Sequence, residues 1–202
     1  MAILENLKRG AERVTGWRRP SRRDLAELTR PRKPHSFRFK DEGVIPNNPD
    51  LPAVLYRTPV RLADAFDPAA VFEDLFEHNG WRDSWRNGIY HYVHYHSRIH
   101  EVLGIARGRA KVQLGGPRGR TFEFKAGDVA ILPAGTGHQC LGASKDFLVV
   151  GAYPPFGKYD ECTTKEHDRA IVTIPRVARP RKDPVYGAQG PLVGLWRQDA
   201  RR

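Results

Sequence analysis

The spacing of apolar residues divides the chain into a helical beginning and a strand-rich remainder. Ile3, Leu4, Leu7, Ala11 and Val14 recur at helical intervals and predict a short amphipathic helix over 2–15. Ser21, followed three residues later by Asp24, forms a capping-box start for a second helix reaching about Thr29, which Pro31 and Pro34 end. The proline-bounded stretch 46–52 reads as extended loop. Asp67 at the N-cap, Pro68 in the first turn and Gly80 past the end bracket a third helix, with Val71, Phe72, Leu75 and Phe76 as its apolar stripe.

From Trp85 onward the period shortens to two. Strands are predicted over 88–96, 101–107, 109–114, 120–125, 128–132, 138–141 and 146–153, separated by turn signals such as Gly115-Gly116-Pro117-Arg118-Gly119. Many short strands with glycine-rich turns imply a mainly β sandwich or barrel. Leu103, Ile105, Val112, Leu114, Phe122 and Phe124 are its candidate core, and Cys140 shares the parity of His138. No solenoid repeat or low-complexity tract interrupts the chain. Three segments result: a basic helical extension over 1–43, a barrel with its preceding helix over 44–175, and a basic Pro- and Arg-rich extension over 176–202 expected to wrap the surface.

Composition narrows the class. Four Trp, nine Phe and seven Tyr in 202 residues supply enough apolar surface to exclude general disorder, and two cysteines exclude a disulfide scaffold. No apolar run approaches the roughly 18 residues of a membrane span. The formal net charge of +11 suggests an acidic partner such as nucleic acid, until it is sorted by position. Residues 1–40 carry +8, residues 176–202 carry +5, and residues 41–175 carry −2. The charge lies in the two ends, no nucleic-acid signature accompanies it, and neither nucleic acid nor membrane is expected as a partner. Ser21-Arg22-Arg23 resembles a twin-arginine start, but Glu27, Arg30, Arg32 and Lys33 stand where an apolar stretch should follow, so a cytoplasmic location is expected.

The chemistry concentrates in the middle. Five of the eight histidines, His91, His94, His96, His100 and His138, fall between 91 and 138. On a strand, residues two apart share a face, so His94 and His96 project together, and Tyr90 and Tyr92 share their parity. Glu101, returning after a turn, offers a third ligand to a divalent transition metal, and His138 is available as a fourth. Read without further context, the same histidines also suit surface or hydrogen-bonded core positions.

Longer spacings bear on that choice. Gly88-x5-His94-x-His96-x4-Glu101-x6-Gly108 and Gly127-x5-Pro133-x-Gly135-x2-His138 match the two cupin motifs at nine fixed positions, with Gly142 standing where the second motif ends in Asn. Asn79-Gly80-Trp81, Trp85-Arg86-Asn87-Gly88, Leu132-Pro133-Ala134-Gly135-Thr136-Gly137-His138 and Asp183-Pro184-Val185-Tyr186-Gly187 extend the likeness. The chain thus resembles the cupins, and among them the uncharacterised YjlB-like single-domain group, over roughly residues 44–196. The resemblance implies a double-stranded β-helix (jelly-roll) barrel with a few N-terminal helices. It implies one divalent metal per chain (Fe, Mn, Ni, Co or Zn) on His94, His96, Glu101 and His138, and it favours a homodimer.

His100, Tyr90 and Tyr92 are the candidate catalytic, pocket-lining or supporting residues: His100 as a base, an alternative ligand or a solvent-facing turn residue, and the tyrosines as donors to a substrate oxygen or as packing. Two functions compete. One is a metal-dependent enzyme that oxygenates, isomerises or decarboxylates a small oxygen-bearing molecule; the other is a non-catalytic binding or sensing module. An acid or base within reach of the open metal positions would favour the first.

Overall fold

A computed structural model describes residues 17–197. The helix expected over 2–15 lies outside them. The second and third helices form where their caps place them. Helix α1 (Arg22–Leu28) starts on Ser21, whose side chain accepts from the Asp24 backbone while Asp24 accepts from the Ser21 backbone. Helix α2 (Pro68–His78) starts on Asp67, with Pro68 in its first turn.

Among the described residues, nine strands lie in two antiparallel sheets. The larger has the order β1-β2-β7-β4-β9-β3, where β1 is His35–Phe37, β2 Ala53–Tyr56, β3 Arg82–Asn87, β4 Glu101–Arg107, β7 Val129–Leu132 and β9 Leu148–Tyr153. The smaller has the order β6-β5-β8, where β5 is Arg109–Leu114, β6 Arg120–Lys125 and β8 His138–Ala143. This is the mainly β arrangement the strand pattern predicted, and it is consistent with the jelly-roll barrel the resemblance implied.

Alternation along the strands of the larger sheet builds two cores. Ala53, Leu55, Leu103, Ile105, Ala130, Leu132 and Val149 face the smaller sheet and meet Val112, Leu114, Phe122, Phe124 and Cys140. Val54, Tyr56, Val102, Ala106, Val129, Ile131, Val150 and Ala152 point the other way and pack under Leu25, Leu28 and the α2 stripe. Both faces are therefore buried, which explains the unbroken burial of β2 and β7. Gly104 sits where a Cβ would stand 2.5 Å from the Phe72 ring, so its missing side chain lets α2 lie close to β4.

Two expectations need correction. Residues 88–96 do not form a strand. They cross from the larger sheet to the smaller over one end of the barrel, meeting β8 at the isolated bridge of His94 with His138 and where the Tyr90 carbonyl accepts from the Cys140 N–H at 2.8 Å. The strand before them is β3, a polar edge strand in which Trp85 alone carried any signal; Asp83 takes a positive φ of 54°, and the β3–β9 register shifts there. The carboxyl-terminal stretch does not merely wrap the surface either. Val185, Leu192 and Trp196 complete the outer core, and helices α3 (His167–Thr173) and α4 (Pro191–Leu195) precede and close this region.

Some of the described basic residues at the amino end find acids within the chain. Arg19 bonds to Asp74 and Glu73 on α2, and Arg18 pairs with Asp24 while its guanidinium lies over Phe66. Part of the positive charge that suggested an external partner is thus used in packing the extension onto the barrel.

Candidate metal centre

Four polar side chains meet at the barrel end where β4 and β8 begin. Glu101 opens β4 on the inner face it shares with Leu103 and Ile105, and His138 opens β8. The crossing segment brings in His94 and His96. Reciprocal backbone bonds of 3.2 and 2.9 Å hold His94 to His138, and the His96 carbonyl accepts from the Gly135 N–H at 2.7 Å. Gly135 itself has a φ of +91°, and a Cβ there would stand 2.7 Å from the Asn47 carbonyl oxygen, so glycine is required for the turn that delivers His138.

One ligand atom from each of His94, His96 and His138 lies within 4.8 Å of the others. Glu101 Oε2 is 3.4 Å from His96 Nε2 and 3.5 Å from His138 Nε2. All four residues are buried. Backbone carbonyls aim the rings: Nδ1 of His96 donates to the Asp160 carbonyl and Nδ1 of His138 to the Thr136 carbonyl at 3.0 Å, while Nδ1 of His94 faces the Tyr92 carbonyl at 3.4 Å. Because a carbonyl oxygen only accepts, these contacts place a proton on Nδ1 and direct Nε2 into the group.

Left to themselves, these groups oppose one another. Burial, followed by the charge of neighbouring imidazoles, pushes His138 down to about 3, and His94 is lowered for the same reasons. Burial works against ionisation of Glu101, but the imidazoles, His96 foremost, hold its carboxyl down to about 2. Burial also disfavours charge on His96, yet Glu101 overrides it and raises His96 to about 9. Glu101 Oε2 nevertheless has no hydrogen-bond partner. A buried carboxylate oxygen left this way is costly unless a cation meets it. Nitrogen and oxygen donors in this set fit a divalent transition metal, which would displace the proton from His96.

The group forms the floor of a cavity of about 340 Å³. Its walls include Trp85, Ile89, Tyr90, Leu103, Tyr153 and Tyr159. Trp85 Nε1 donates to the Tyr153 hydroxyl at 2.9 Å. Burial, then the negative charge of Glu101, pushes the Tyr153 phenol upward, so it keeps its proton at neutral pH. Asp160 anchors the segment beyond β9, and Tyr159 from that segment lies against the His96 ring with centroids 5.0 Å apart.

The other candidates separate. The structure places His100 away from the cavity, neither at a turn facing solvent nor as an alternative ligand. It is fully buried against Trp196, its Nδ1 accepts from the Ala134 N–H at 2.9 Å, and its Nε2 donates to the Ala178 carbonyl at 3.1 Å. Tyr90 and Tyr92 share a side, but at the rim and not inside, being 41% and 48% exposed and stacked on each other at 5.0 Å. Tyr90 borders the cavity, whereas the Tyr92 hydroxyl donates to Glu161 at 2.7 Å. Tyr153, Tyr159 and Trp85 were not singled out in the sequence. Tyr153 shares the inward parity of Val149 on β9, a usable signal; Tyr159 lies in an irregular segment with none.

Two facing antiparallel sheets, with three histidines gathered beside a buried glutamate at one end, define a cupin barrel. Residues 81–175 match the family model described as cupin, and the chain belongs to the cupin family. A particular relative is the uncharacterized protein YjlB of Bacillus subtilis (strain 168), 40% identical over 167 residues that make up 82% of this chain and 98% of the relative. Among solved structures, oxalate decarboxylase of Bacillus subtilis is similar at 26% identity with a TM-score of 0.32, over 40% of this chain and 22% of that one. The coconut allergen cocosin is similar at 21% identity and a TM-score of 0.33, over 40% and 23% of the two chains. This chain therefore spans about a quarter or less of either solved protein.

Proposed function

We propose that this cupin is an enzyme that holds one divalent transition metal on His94, His96, Glu101 and His138 and acts on a small oxygen-bearing molecule. The observation that carries the reading is the aim of three buried imidazoles at one region beside a carboxylate oxygen that lacks any hydrogen-bond partner. When bound, such an ion would supply a Lewis-acid centre with positions open to substrate oxygens.

The rest falls to the chain's own residues. Ile89 and Leu103 give the cavity apolar wall and exclude water from it. Tyr153, kept protonated and supported by Trp85, is placed to donate a hydrogen bond to an oxygen held beside Glu101. Oxygenation, isomerisation and decarboxylation are all compatible with these parts. Tyr153 supports catalysis over a binding or sensing role, because it puts a hydrogen-bond donor where charge would develop on a substrate oxygen. The apolar remainder of the wall is what the non-catalytic reading has in its favour. The unpaired outer edges of β1 and β3, among the described residues, support a homodimer.

Elemental analysis of the purified protein tests the reading. About one transition-metal ion per chain is expected, with loss of that ion in His94→Ala and His138→Ala. Metal-free protein that these substitutions leave unchanged would overturn it. Iron in the site would favour oxygen chemistry, and zinc or nickel would favour isomerisation.

A further inference from the structure

Rings make up much of the wall above the candidate metal centre. Tyr90 lies 5.0 Å from His94 by centroids and stacks on Tyr92 at 5.0 Å with an interplanar angle of 11°. Across the group, Tyr159 lies 5.0 Å from His96 and 5.7 Å from Tyr153. Tyr90, Tyr92 and Tyr159 all remain more than 40% exposed, so much ring surface stands open to solvent at the mouth even though Tyr90 and Tyr92 cover one face of each other.

Polar groups near the mouth are mostly committed to one another. Arg86 is bonded to Glu73 at 2.6 Å and to Asp67 at 2.8 Å. Trp85 Nε1 is taken by Tyr153, and the Tyr92 hydroxyl by Glu161. A polyhydroxylated aliphatic ligand would therefore find few side chains free to read its hydroxyls. A flat ring would find faces to stack on, and a volume of about 340 Å³ suits one ring better than several.

We infer that the ligand of this cavity is a single-ring aromatic molecule bearing two adjacent oxygen donors, of the catecholate class, with its ring between Tyr90 and Tyr159 and its oxygens directed to the floor. The inference rests on the metal-centre reading, since the floor attracts the oxygens only when it holds a cation. The tyrosines select the ring, and the centre selects its paired oxygens.

The test uses the full chain loaded with Zn(II), with metal content verified first. The probes are 4-nitrocatechol, followed by its absorbance, and glycolate, an aliphatic oxygen chelator, followed by competition. Tyr90→Leu and Tyr159→Leu are compared with the parent chain, so intrinsic differences between the chelators cancel. Each substitution is expected to weaken 4-nitrocatechol roughly threefold to tenfold and to leave glycolate unchanged. Circular dichroism confirms that the variants are folded. Equal losses for both probes, or no loss for either, would overturn the aromatic assignment while leaving the metal centre intact. Failure to take up zinc would instead remove the metal-centre reading, and the inference with it.

Discussion

Asp160 holds His96 through its backbone and the two residues after His96 through its carboxylate. The His96 ring donates from Nδ1 to the backbone carbonyl of Asp160, and the Asp160 carboxylate accepts from the Ser97 N–H at 3.0 Å, the Ser97 hydroxyl at 2.6 Å and the Arg98 N–H at 3.2 Å. The segment after β9 is thereby fastened to the crossing that carries two of the candidate ligands. Because the ring is aimed by a main-chain atom, removing the Asp160 carboxylate acts on His96 only through that fastening. Asp160→Ala is expected to weaken metal binding about tenfold without abolishing it, measured by competition with a chromophoric chelator. A variant that binds as tightly as the parent would show that the crossing holds itself in place.

Metal removal gives a second expectation. An ion that binds only the folded chain stabilises it by mass action, by about 2.7 kcal/mol when free metal exceeds Kd by about a hundredfold. For a chain of this length, stripping the ion should lower Tm by roughly 5–10 °C. His138→Ala, which removes a ligand from the group, should show the same Tm with and without chelator. Calorimetry or thermal circular dichroism reads the difference.

Why some of this was legible in the sequence and some was not follows from how each residue is held. Strands β5 and β6 lie where alternation placed them, because each has one face toward the inner core and turn glycines at its ends, and β4 is delimited by the Gly108 turn after it. Strand β3 was hidden because an edge strand pairs on one side only and needs few apolar residues; Arg82, Asp83 and Arg86 gave no periodic signal. The stretch 88–96 misled for the opposite reason. Its tyrosines and histidines favour strands locally, but tertiary placement used them to bridge two sheets. The histidine–glutamate spacings survived this error, since the motif records which residues converge and not which element carries them. His100 was ambiguous because its partners, the backbone of Ala134 and Ala178, lie far away in sequence.

His100 supplies a pH prediction. Burial lowers it from 6.5 to about 3, with the nearby Arg179 charge acting in the same direction and the bond to Ala178 opposing it. Between those values the unfolded chain binds a proton that the folded chain refuses. The stabilising contribution is therefore full above about pH 6.5 and is lost as pH falls toward about 3. His100→Ala should cost roughly 2–3 kcal/mol near neutrality, because it leaves the Ala134 N–H and the Ala178 carbonyl without their partner. It should also show a shallower loss of stability between pH 6.5 and 4 than the parent chain, in urea unfolding at several pH values. Retention of one metal per chain in this variant would separate its structural role from that of its neighbour Glu101.

The last prediction concerns the carboxyl-terminal stretch, through a carboxylate with no solvent exposure. Asp183 accepts from the backbone of Val185 at 2.8 Å and Tyr186 at 3.1 Å through one oxygen, and from the Tyr56 hydroxyl at 2.6 Å and the Leu192 N–H at 3.1 Å through the other. It closes its own loop, starts α4 and ties both to the outer face of β2. Gly190 fits against it only because it has no Cβ; one there would stand 2.2 Å from the Asp183 Cβ. Asp183→Ala removes four acceptor contacts and leaves buried donors unpaired, so roughly 3–5 kcal/mol of stability should be lost, measured by urea unfolding. Asp183→Asn keeps the shape, accepts through one oxygen and should recover part of that loss. Should Asp183→Ala prove as stable as the parent, residues 183–196 would be an appendage; the expected result makes them part of the barrel's outer core.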